Sequence, residues 1–328
     1  MKLIITIDAE EDNWGRYSAT DNPVENIRQI VPLQKIFDEF GVKPTYLVNY
    51  PVATSPSSVA ILNKFLAEGN CEIGMHCHSW NTPPFDGEVS PCEEETMLCN
   101  LSKSMVQDKL WTLYQVIEKN FGKKPVSFRA GRWGFSRDVA MVLIELGCRV
   151  DSSVTPYVDW GCCPESNFSN FSPDPFWFNA EDNFRGKKES SILEVPATIS
   201  YLQRNTRLCQ QVMKACEKPF VRRLRLKGVL DRMGLVNKVW LSPEMADVKA
   251  MIRLASIMEK RKRPCINFFF HSNTLLPGLG PYTKSSKDVE DFIQKIKDFL
   301  AFAKRSGWQS TTLGQFADEY ASVDENSN

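Results

Sequence analysis

Short apolar segments alternate with amphipathic helical segments along almost the whole chain. The strand-like segments lie at residues 3–8, 45–50, 71–76, 126–129, 148–151, 193–195, 265–271 and 308–312. Helical periods separate many of them, at residues 24–40, 57–66, 93–121, 136–146 and 289–304. Strands joined by helices predict a parallel sheet, because a parallel connection needs a crossover. The first strand, L-I-I-T-I-D, is nearly all apolar, as in a strand buried on both faces.

Polar residues cluster where these strands end, and this favours a closed barrel over an open sheet. Barrel enzymes build their sites at the carboxyl ends of parallel strands. No glycine-rich phosphate loop follows the first strand, which argues against a dinucleotide-binding fold. The predicted fold class is therefore α/β, a distorted (β/α) barrel in a single domain over residues 1–321. Residues 204–264 are predicted to be a largely helical basic insertion, and residues 322–328 a loose tail.

Composition excludes several classes of protein. The 328 residues carry 40 Lys+Arg and 40 Asp+Glu, and zero net charge argues against a general nucleic-acid binder. No run of 18 apolar residues predicts a transmembrane helix, and the N-terminus lacks the apolar region of a signal peptide. The ten cysteines form no C-x-x-C pair. These features together predict a cytoplasmic protein with reduced thiols.

Charge is unevenly distributed along the chain. Residues 1–100 hold 6 Lys/Arg and 15 Asp/Glu, whereas residues 204–264 hold 16 and 5. The segment 222–240, which begins R-R-L-R-L-K, is a candidate for peripheral contact with the anionic inner face of a membrane. A solvated basic face that offsets the acidic N-terminal part is the simpler interpretation.

The three histidines of the chain, His76, His78 and His271, all fall at predicted strand ends. His76 and His78 are two positions apart in an extended segment, so their side chains point the same way and could begin a zinc site. The first strand ends in D-A-E-E-D (residues 8–12), and Asp8, as the last residue of a buried strand, requires a partner. Acids at one strand end and a histidine pair at another would complete a set of two histidines and one carboxylate.

Three further residues end predicted strands. Arg129 needs an acid, and Asp8 is the economical partner because the pair neutralises both charges. His271 ends the strongest late strand, and an imidazole with a pKa near neutrality suits proton donation to a leaving amine. Asp151 opens a D-S-S turn and is either a structural turn residue or a site residue.

Taken in order, these motifs resemble those of the polysaccharide deacetylase (NodB-homology) family of carbohydrate esterases, over roughly residues 2–320. The style is closest to members linked to surface-polysaccharide and lipopolysaccharide biosynthesis. Five motifs carry the resemblance: T-I-D-A-E (6–10) resembles T-F-D-D-G, M-H-C-H (75–78) resembles H-[ST]-x-x-H, F-R-A-G-R-W-G (128–134) resembles R-x-P, D-S-S (151–153) through Trp160 resembles the Asp and Trp motif, and F-F-H (269–271) resembles L-x-H.

The resemblance implies a barrel of seven parallel strands and a divalent metal, with zinc expected and cobalt, nickel or manganese as alternatives. Asp8 would be the base, His271 the acid and Arg129 the arginine that orients the base. Glu10, His76 and His78 would hold the metal, although Glu11 or Asp12 could replace Glu10, and Asp86 is a further option beside His78. The expected substrate-binding residues are Trp80, Trp133, Asp151 and Trp160, and Trp14 and Trp177 also fall near the predicted site loops.

The activity implied is hydrolysis of an N-acetyl group on an amino sugar. A cytoplasmic location favours a surface-glycan precursor, lipid-linked or nucleotide-linked, over finished polysaccharide. Another amide hydrolase on the same barrel, such as a deformylase or a cyclic-imide or ureide hydrolase, would use the same residues. A degenerate glycan-binding module is a second alternative, and a structural scaffold is a third that leaves the positions of the histidines unexplained.

Overall fold

The computed structural model describes residues 1–85, 94–161, 163–179, 191–217, 220 and 226–325. Its strands are β1 (Lys2–Ala9), β2 (Thr45–Val48), β3 (Glu72–Cys77), β4 (Ser127–Ala130), β5 (Val150–Asp151), β6 (Phe176–Asn179), β7 (Ser191–Glu194), β8 (Ile199–Tyr201), β9 (Lys238–Trp240), β10 (Cys265–His271) and β11 (Gln309–Ser310). Its α-helices are α1 (Ile30–Phe40), α2 (Tyr50–Thr54), α3 (Pro56–Ala67), α4 (Lys103–Phe121), α5 (Arg137–Glu145), α6 (Thr206–Glu217), α7 (Leu226–Arg232), α8 (Val248–Lys260), α9 (Ser286–Arg305) and α10 (Leu313–Glu325).

Parallel strands form one curled sheet in the order β10-β1-β2-β3-β4-β5-β7. Strand β11 pairs with β1, and β6 adds an antiparallel edge beside β7. Beyond β7 the chain turns towards the opposite edge, where the Thr198 N–H donates to the Asn267 carbonyl of β10 at 3.2 Å. These contacts confirm the predicted α/β class and distorted barrel, in which β6 and β11 supplement the seven neighbouring parallel strands.

Side chains alternate between the two faces of β1, as the pleat of a strand requires. Leu3, Ile5 and Ile7 pack in the large core under the surrounding helices. Ile4 belongs to a smaller core inside the curve of the sheet, which also contains Phe316 of α10. The apolar β1 is thereby buried on both faces and carries polar side chains at its carboxyl end.

Helix ends differ from the prediction at two places. Helix α4 begins at Lys103 rather than near residue 93, because the Ser102 hydroxyl accepts a hydrogen bond from the Met105 N–H and caps the helix. Helix α10 continues to Glu325, four residues into the segment predicted as a tail. Phe316 and Ala317 bury its first turns against the inner core and Tyr320 packs at the margin, which anchors the helix.

The segment 204–264 is largely helical, as predicted, because α6, α7 and α8 cover most of its described residues, and it also contains one short strand. Strand β9 lies within it and pairs with β8 in a second, antiparallel sheet, and a three-residue strand is too short for a recognisable period. Gly228 lies inside α7, whereas Gly234, at φ +70°, lies beyond its end. Arg222, Arg223 and Arg225 lie outside the described residues. No helix of the described segments is long and apolar enough to cross a membrane.

Candidate metal and catalytic centre

The carboxyl ends of β1, β3, β4 and β10 surround a cleft of about 390 Å³. Strand register explains which side chains meet there: Asp8 of β1 pairs with His271 of β10, and His76 of β3 pairs with Arg129 of β4. The turn after β4 lies against the site because Gly131 lacks a side chain. A Cβ atom at that position would lie 2.5 Å from His78 Cδ2.

Glu10, His76 and His78 form a buried cluster in which one ligand atom from each lies within 4.8 Å of the others. Glu10 Oε2 lies 3.5 Å from His76 Nε2 and 3.3 Å from His78 Nε2. Two imidazole nitrogens and a carboxylate oxygen are a donor set that zinc and similar divalent ions bind. These three residues could therefore hold a metal ion.

The outer nitrogens of both imidazoles have acceptors of their own. His76 Nδ1 lies 3.0 Å from the Arg129 carbonyl oxygen, and His78 Nδ1 lies 3.2 Å from each carboxylate oxygen of Glu11. A proton on each Nδ1 would donate to these acceptors and leave both Nε2 lone pairs for a metal. Trp80 stacks on His78, with ring centroids 4.0 Å apart, and its indole N–H donates to Glu11.

The three acidic residues that follow β1, at positions 10–12, have three different sets of partners. Glu10 lies in the metal-binding cluster, where the Asn273 amide donates to its Oε1 at 2.8 Å. Glu11 lies behind His78 and also accepts a hydrogen bond from Asn49. Asp12 accepts the backbone N–H groups of residues 25 and 26 at the start of the first 3₁₀ helix. Of the alternatives left open by the sequence, Glu10 is the carboxylate that faces both histidines, and Asp86 lies outside the described residues.

Electrostatics at the cluster favour a charge-paired state. Burial alone would raise the pKa of Glu10, but hydrogen bonds from His76 and His78 lower it well below its usual range. Burial alone would lower the pKa of His78, but the Glu11 and Glu10 carboxylates raise it to about 10. A raised pKa means that the imidazole of His78 holds a second proton more tightly, and a metal ion that binds Nε2 must displace the proton on that atom.

Asp8 and Arg129 form the predicted buried ion pair, with Arg129 Nη1 donating to Asp8 Oδ1 at 2.7 Å. The remaining guanidinium nitrogens donate to Ser152 and Thr6, so Arg129 is fixed inside the barrel. Burial raises the pKa of Asp8, but Arg129, followed by His76 and His271, lowers it overall. Asp8 is therefore ionised, and its Oδ2 lies 3.7 Å from Nε2 of His271.

Sequence reasoning missed the partner of His271, which is Glu244. A Glu244 oxygen lies 3.0 Å from Nδ1 of His271, and the carboxylate also accepts the His271 backbone N–H and the Thr274 hydroxyl. Burial lowers the pKa of His271, but Glu244, with Glu10 and Asp8, raises it to about 10. Glu244 follows β9 in the segment assigned to an insertion, and no motif marks it.

Aromatic side chains line much of the cleft. Trp80, Trp133 and Trp160, all predicted to bind substrate, are joined there by Trp14, Tyr17, Trp240 and Tyr282. Trp133 and Trp160 stack nearly parallel, with ring centroids 6.5 Å apart. Trp177 is not part of the cleft and packs against Tyr320 instead.

Asp151, which the sequence left open as a structural turn residue or a substrate-binding residue, does not line the cleft. Ser152 faces the barrel interior, where its hydroxyl accepts a hydrogen bond from Arg129, so the preceding residue faces outward. Asp151 is fully buried there opposite Glu194 of β7. Its carboxylate accepts hydrogen bonds from the hydroxyl and backbone N–H of Ser153.

Comparison with solved structures identifies the fold. A protein from Mycobacterium smegmatis assigned as a polysaccharide deacetylase matches with a TM-score of 0.54, over 98% of this chain and 91% of that one, at 13% identity. The chain has the polysaccharide deacetylase fold. The resemblance carried by the five motifs is thus confirmed at the level of the fold. No protein-family model and no curated protein sequence matches the chain.

Two further solved structures also match this chain. The 4-alpha-glucanotransferase of Thermococcus litoralis matches with a TM-score of 0.52, over 97% of this chain and 40% of that one, at 12% identity. A family 4 carbohydrate esterase from Streptomyces lividans, in complex with acetate, matches with a TM-score of 0.44, over 94% and 91%, at 10% identity. Because the polysaccharide deacetylase fold overlaps that of a glucanotransferase, function has to be argued from the site.

Proposed function

We propose that the protein is a metal-dependent hydrolase that removes an N-acetyl group from an amino sugar of a surface-glycan precursor or polysaccharide. One observation carries the proposal. The ionised carboxylate of Asp8 lies 3.7 Å from the imidazole of His271, beside a buried cluster of one glutamate and two histidines. A base, an acid and a metal-binding set at one end of a barrel are the parts that amide hydrolysis needs.

Glu10, His76 and His78 would hold the metal. The donor set fits zinc, which we propose, and also cobalt, nickel or manganese. A bound ion of this kind polarises a carbonyl group and lowers the pKa of a water molecule.

Asp8 is proposed to accept the proton of the attacking water. Arg129 occupies Oδ1 and keeps the carboxylate ionised, which leaves Oδ2 to act as the base. His271, protonated at neutral pH, would donate from Nε2 to the amine as the C–N bond breaks, and acetate and the free amino sugar would result. Glu244 stabilises the imidazolium from Nδ1 and is a positioning residue.

The aromatic walls support a sugar as substrate, with Trp80, Trp133 and Trp160 proposed to contact it. Apolar and aromatic faces with a few convergent polar groups are typical of small-molecule sites. The proposal places the reaction in the cytoplasm, on a lipid-linked or nucleotide-linked precursor. It includes peripheral contact of the segment 222–240 with the inner membrane face.

A different amide hydrolase and a degenerate glycan-binding module compete with this proposal. A deformylase or a cyclic-imide or ureide hydrolase would use the same residues, so substrate profiling must separate these reactions. A degenerate module has no use for a base and an acid that each have a dedicated charged partner, Arg129 for Asp8 and Glu244 for His271. The paired charges therefore favour an enzyme.

The test combines metal analysis with acyl release. We expect about one zinc-like ion per chain, lost in the double variant His76→Ala/His78→Ala. The metal-loaded protein should release acetate from N-acetyl amino sugars faster than formate from N-formyl analogues or ring-opened product from cyclic imides. Metal binding without any acyl release, combined with retained glycan binding, would favour the non-catalytic module.

A further inference from the structure

Apolar side chains are exposed in an unusual concentration on helices α6 and α7 and around them. Of the ten large apolar residues that are exposed in the described parts of the chain, six belong to this region: Leu208, Phe220, Leu226, Val229, Met233 and Leu235. We call these six residues the α6–α7 surface. Phe220 is 79% exposed and Met233 is 66% exposed. Large apolar side chains exposed together in one region mark a contact site.

The fold of this region does not use these side chains. Helix α6 buries Cys209, Met213 and Cys216, and a small core that includes Tyr201 covers the first two, while Leu208 remains outside. Helix α7 has no buried residue, although Leu226 and Val229 are apolar. Packing within the described chain therefore leaves the surface uncovered.

The same region is strongly basic. Residues 204–238 contain ten Lys/Arg and two Asp/Glu, in a chain whose net charge is zero. Arg204, Arg207 and Arg232 are exposed and make no ion pair with any described residue. Cations interleaved with exposed apolar side chains are the chemistry of elements that lie in the interface of an anionic bilayer.

We infer that the α6–α7 surface binds an anionic lipid bilayer. Phosphate groups of the lipids attract the arginines, and the apolar side chains enter the boundary between headgroups and acyl chains. A nucleic acid would satisfy the arginines but would leave leucine, valine and methionine side chains in water. A bilayer accounts for both halves of the surface.

Strand β9 connects this surface to the cleft. Lys238 begins β9 shortly after α7, and Trp240 at its other end lines the cleft, about 7 Å further along the strand. Met245, which is 51% exposed, also lines the cleft. A bilayer on the α6–α7 surface would thus lie close to the cleft, where it could present a lipid-linked sugar. Presentation of a lipid-linked sugar rests on the proposed deacetylation, whereas binding of the α6–α7 surface to a bilayer does not depend on that reaction.

Vesicle co-sedimentation of the full chain tests the inference. We expect binding to vesicles of phosphatidylcholine with phosphatidylglycerol at 50 mM salt, and at least about tenfold weaker binding to phosphatidylcholine alone or at 500 mM salt. Phe220→Glu and Met233→Glu should each weaken binding about 10- to 100-fold, because each removes an inserted apolar side chain. Trp111→Glu is the matched control, since Trp111 is 50% exposed on α4, outside this surface.

Several outcomes would overturn the inference. The chain would fail to bind anionic vesicles at low salt, or Trp111→Glu would weaken binding as much as Met233→Glu. A concentration-dependent dimer that Met233→Glu dissolves, seen without vesicle binding, would assign the surface to a second copy of the chain. Circular dichroism and the melting temperature verify that each variant folds. Vesicle binding needs no turnover, so a failure to release acetate would reject the proposed reaction and leave this result intact.

Discussion

Asp8 and His271 face each other in register on adjacent parallel strands, with Oδ2 and Nε2 3.7 Å apart. Each side chain also has an oppositely charged partner on its far side. Arg129 pairs with the Asp8 carboxylate, and Glu244 pairs with the His271 imidazole. The two groups can therefore remain ionised together in a buried site. Because each group has its own partner, Asp8 can accept a proton and His271 can donate one within the same reaction.

Asp8→Asn should abolish most turnover. The amide keeps the size of the side chain and one acceptor for Arg129, but it cannot take a proton from water. Loss of a general base lowers kcat by about 10²- to 10⁴-fold. Steady-state rates of acetate release measure the effect, and metal content and circular dichroism verify that the site is otherwise intact. Near-wild-type turnover in a correctly folded variant would reject Asp8 as the base.

Glu244→Gln should move the basic limb of the pH–activity profile to lower pH. Glu244 is the largest influence that raises the pKa of His271, so without its charge the imidazolium loses its proton at lower pH. The raised pKa also stabilises the folded protein below about pH 6.5, and this contribution is lost as pH rises towards about 10. The profile of kcat/KM from pH 6 to 10 checks the shift. Glu244→Asp should restore the limb in part, and an unmoved limb in Glu244→Gln would exclude the positioning role.

Glu194→Gln should reduce the loss of stability at higher pH. Burial raises the pKa values of Asp151 and Glu194, and the neighbouring Asp151 raises that of Glu194 further, so the folded state retains a proton there. The unfolded chain releases this proton near pH 4.5, and stability then falls as pH rises, by up to about 1.4 kcal/mol per unit. Urea unfolding at pH 5 and pH 8 should show a smaller decrease for the variant. Equal decreases in both proteins would contradict a shared buried proton.

Local patterns allowed much of the sheet and half of the site to be predicted. The apolar run of β1 was enough to predict a buried strand. Asp8, near the end of that strand, required an oppositely charged partner, and Arg129 is that partner. The two-residue spacing of His76 and His78 was also sufficient to predict that their side chains lie together, because an extended backbone directs both rings to the same side, towards Glu10. Such inferences depend on a few neighbouring residues and on the common edge where parallel strands end.

Other features depend on contacts that no local pattern encodes. Glu244 reaches His271 from 27 positions away, through a segment whose fold is set by the second sheet. The role of Asp151 stayed open because a strand of two residues does not reveal which residue faces inward, and the hydrogen bond from Arg129 to Ser152 shows that Ser152 does. Roles among Glu10, Glu11 and Asp12 likewise needed the positions of their partners.

Glu11→Gln should weaken metal binding while leaving the three proposed ligands in place. Glu11 accepts the Nδ1 proton of His78, which orients the ring and makes Nε2 a stronger donor. Loss of the negative charge should lower zinc affinity about 10- to 100-fold, as measured by competition with a chromophoric chelator. Asp12→Asn is the matched control, because Asp12 follows in the same acidic run but binds backbone N–H groups and does not contact the histidines. Equal affinities for Glu11→Gln and Asp12→Asn would mean that the carboxylate behind His78 does not strengthen metal binding at Nε2.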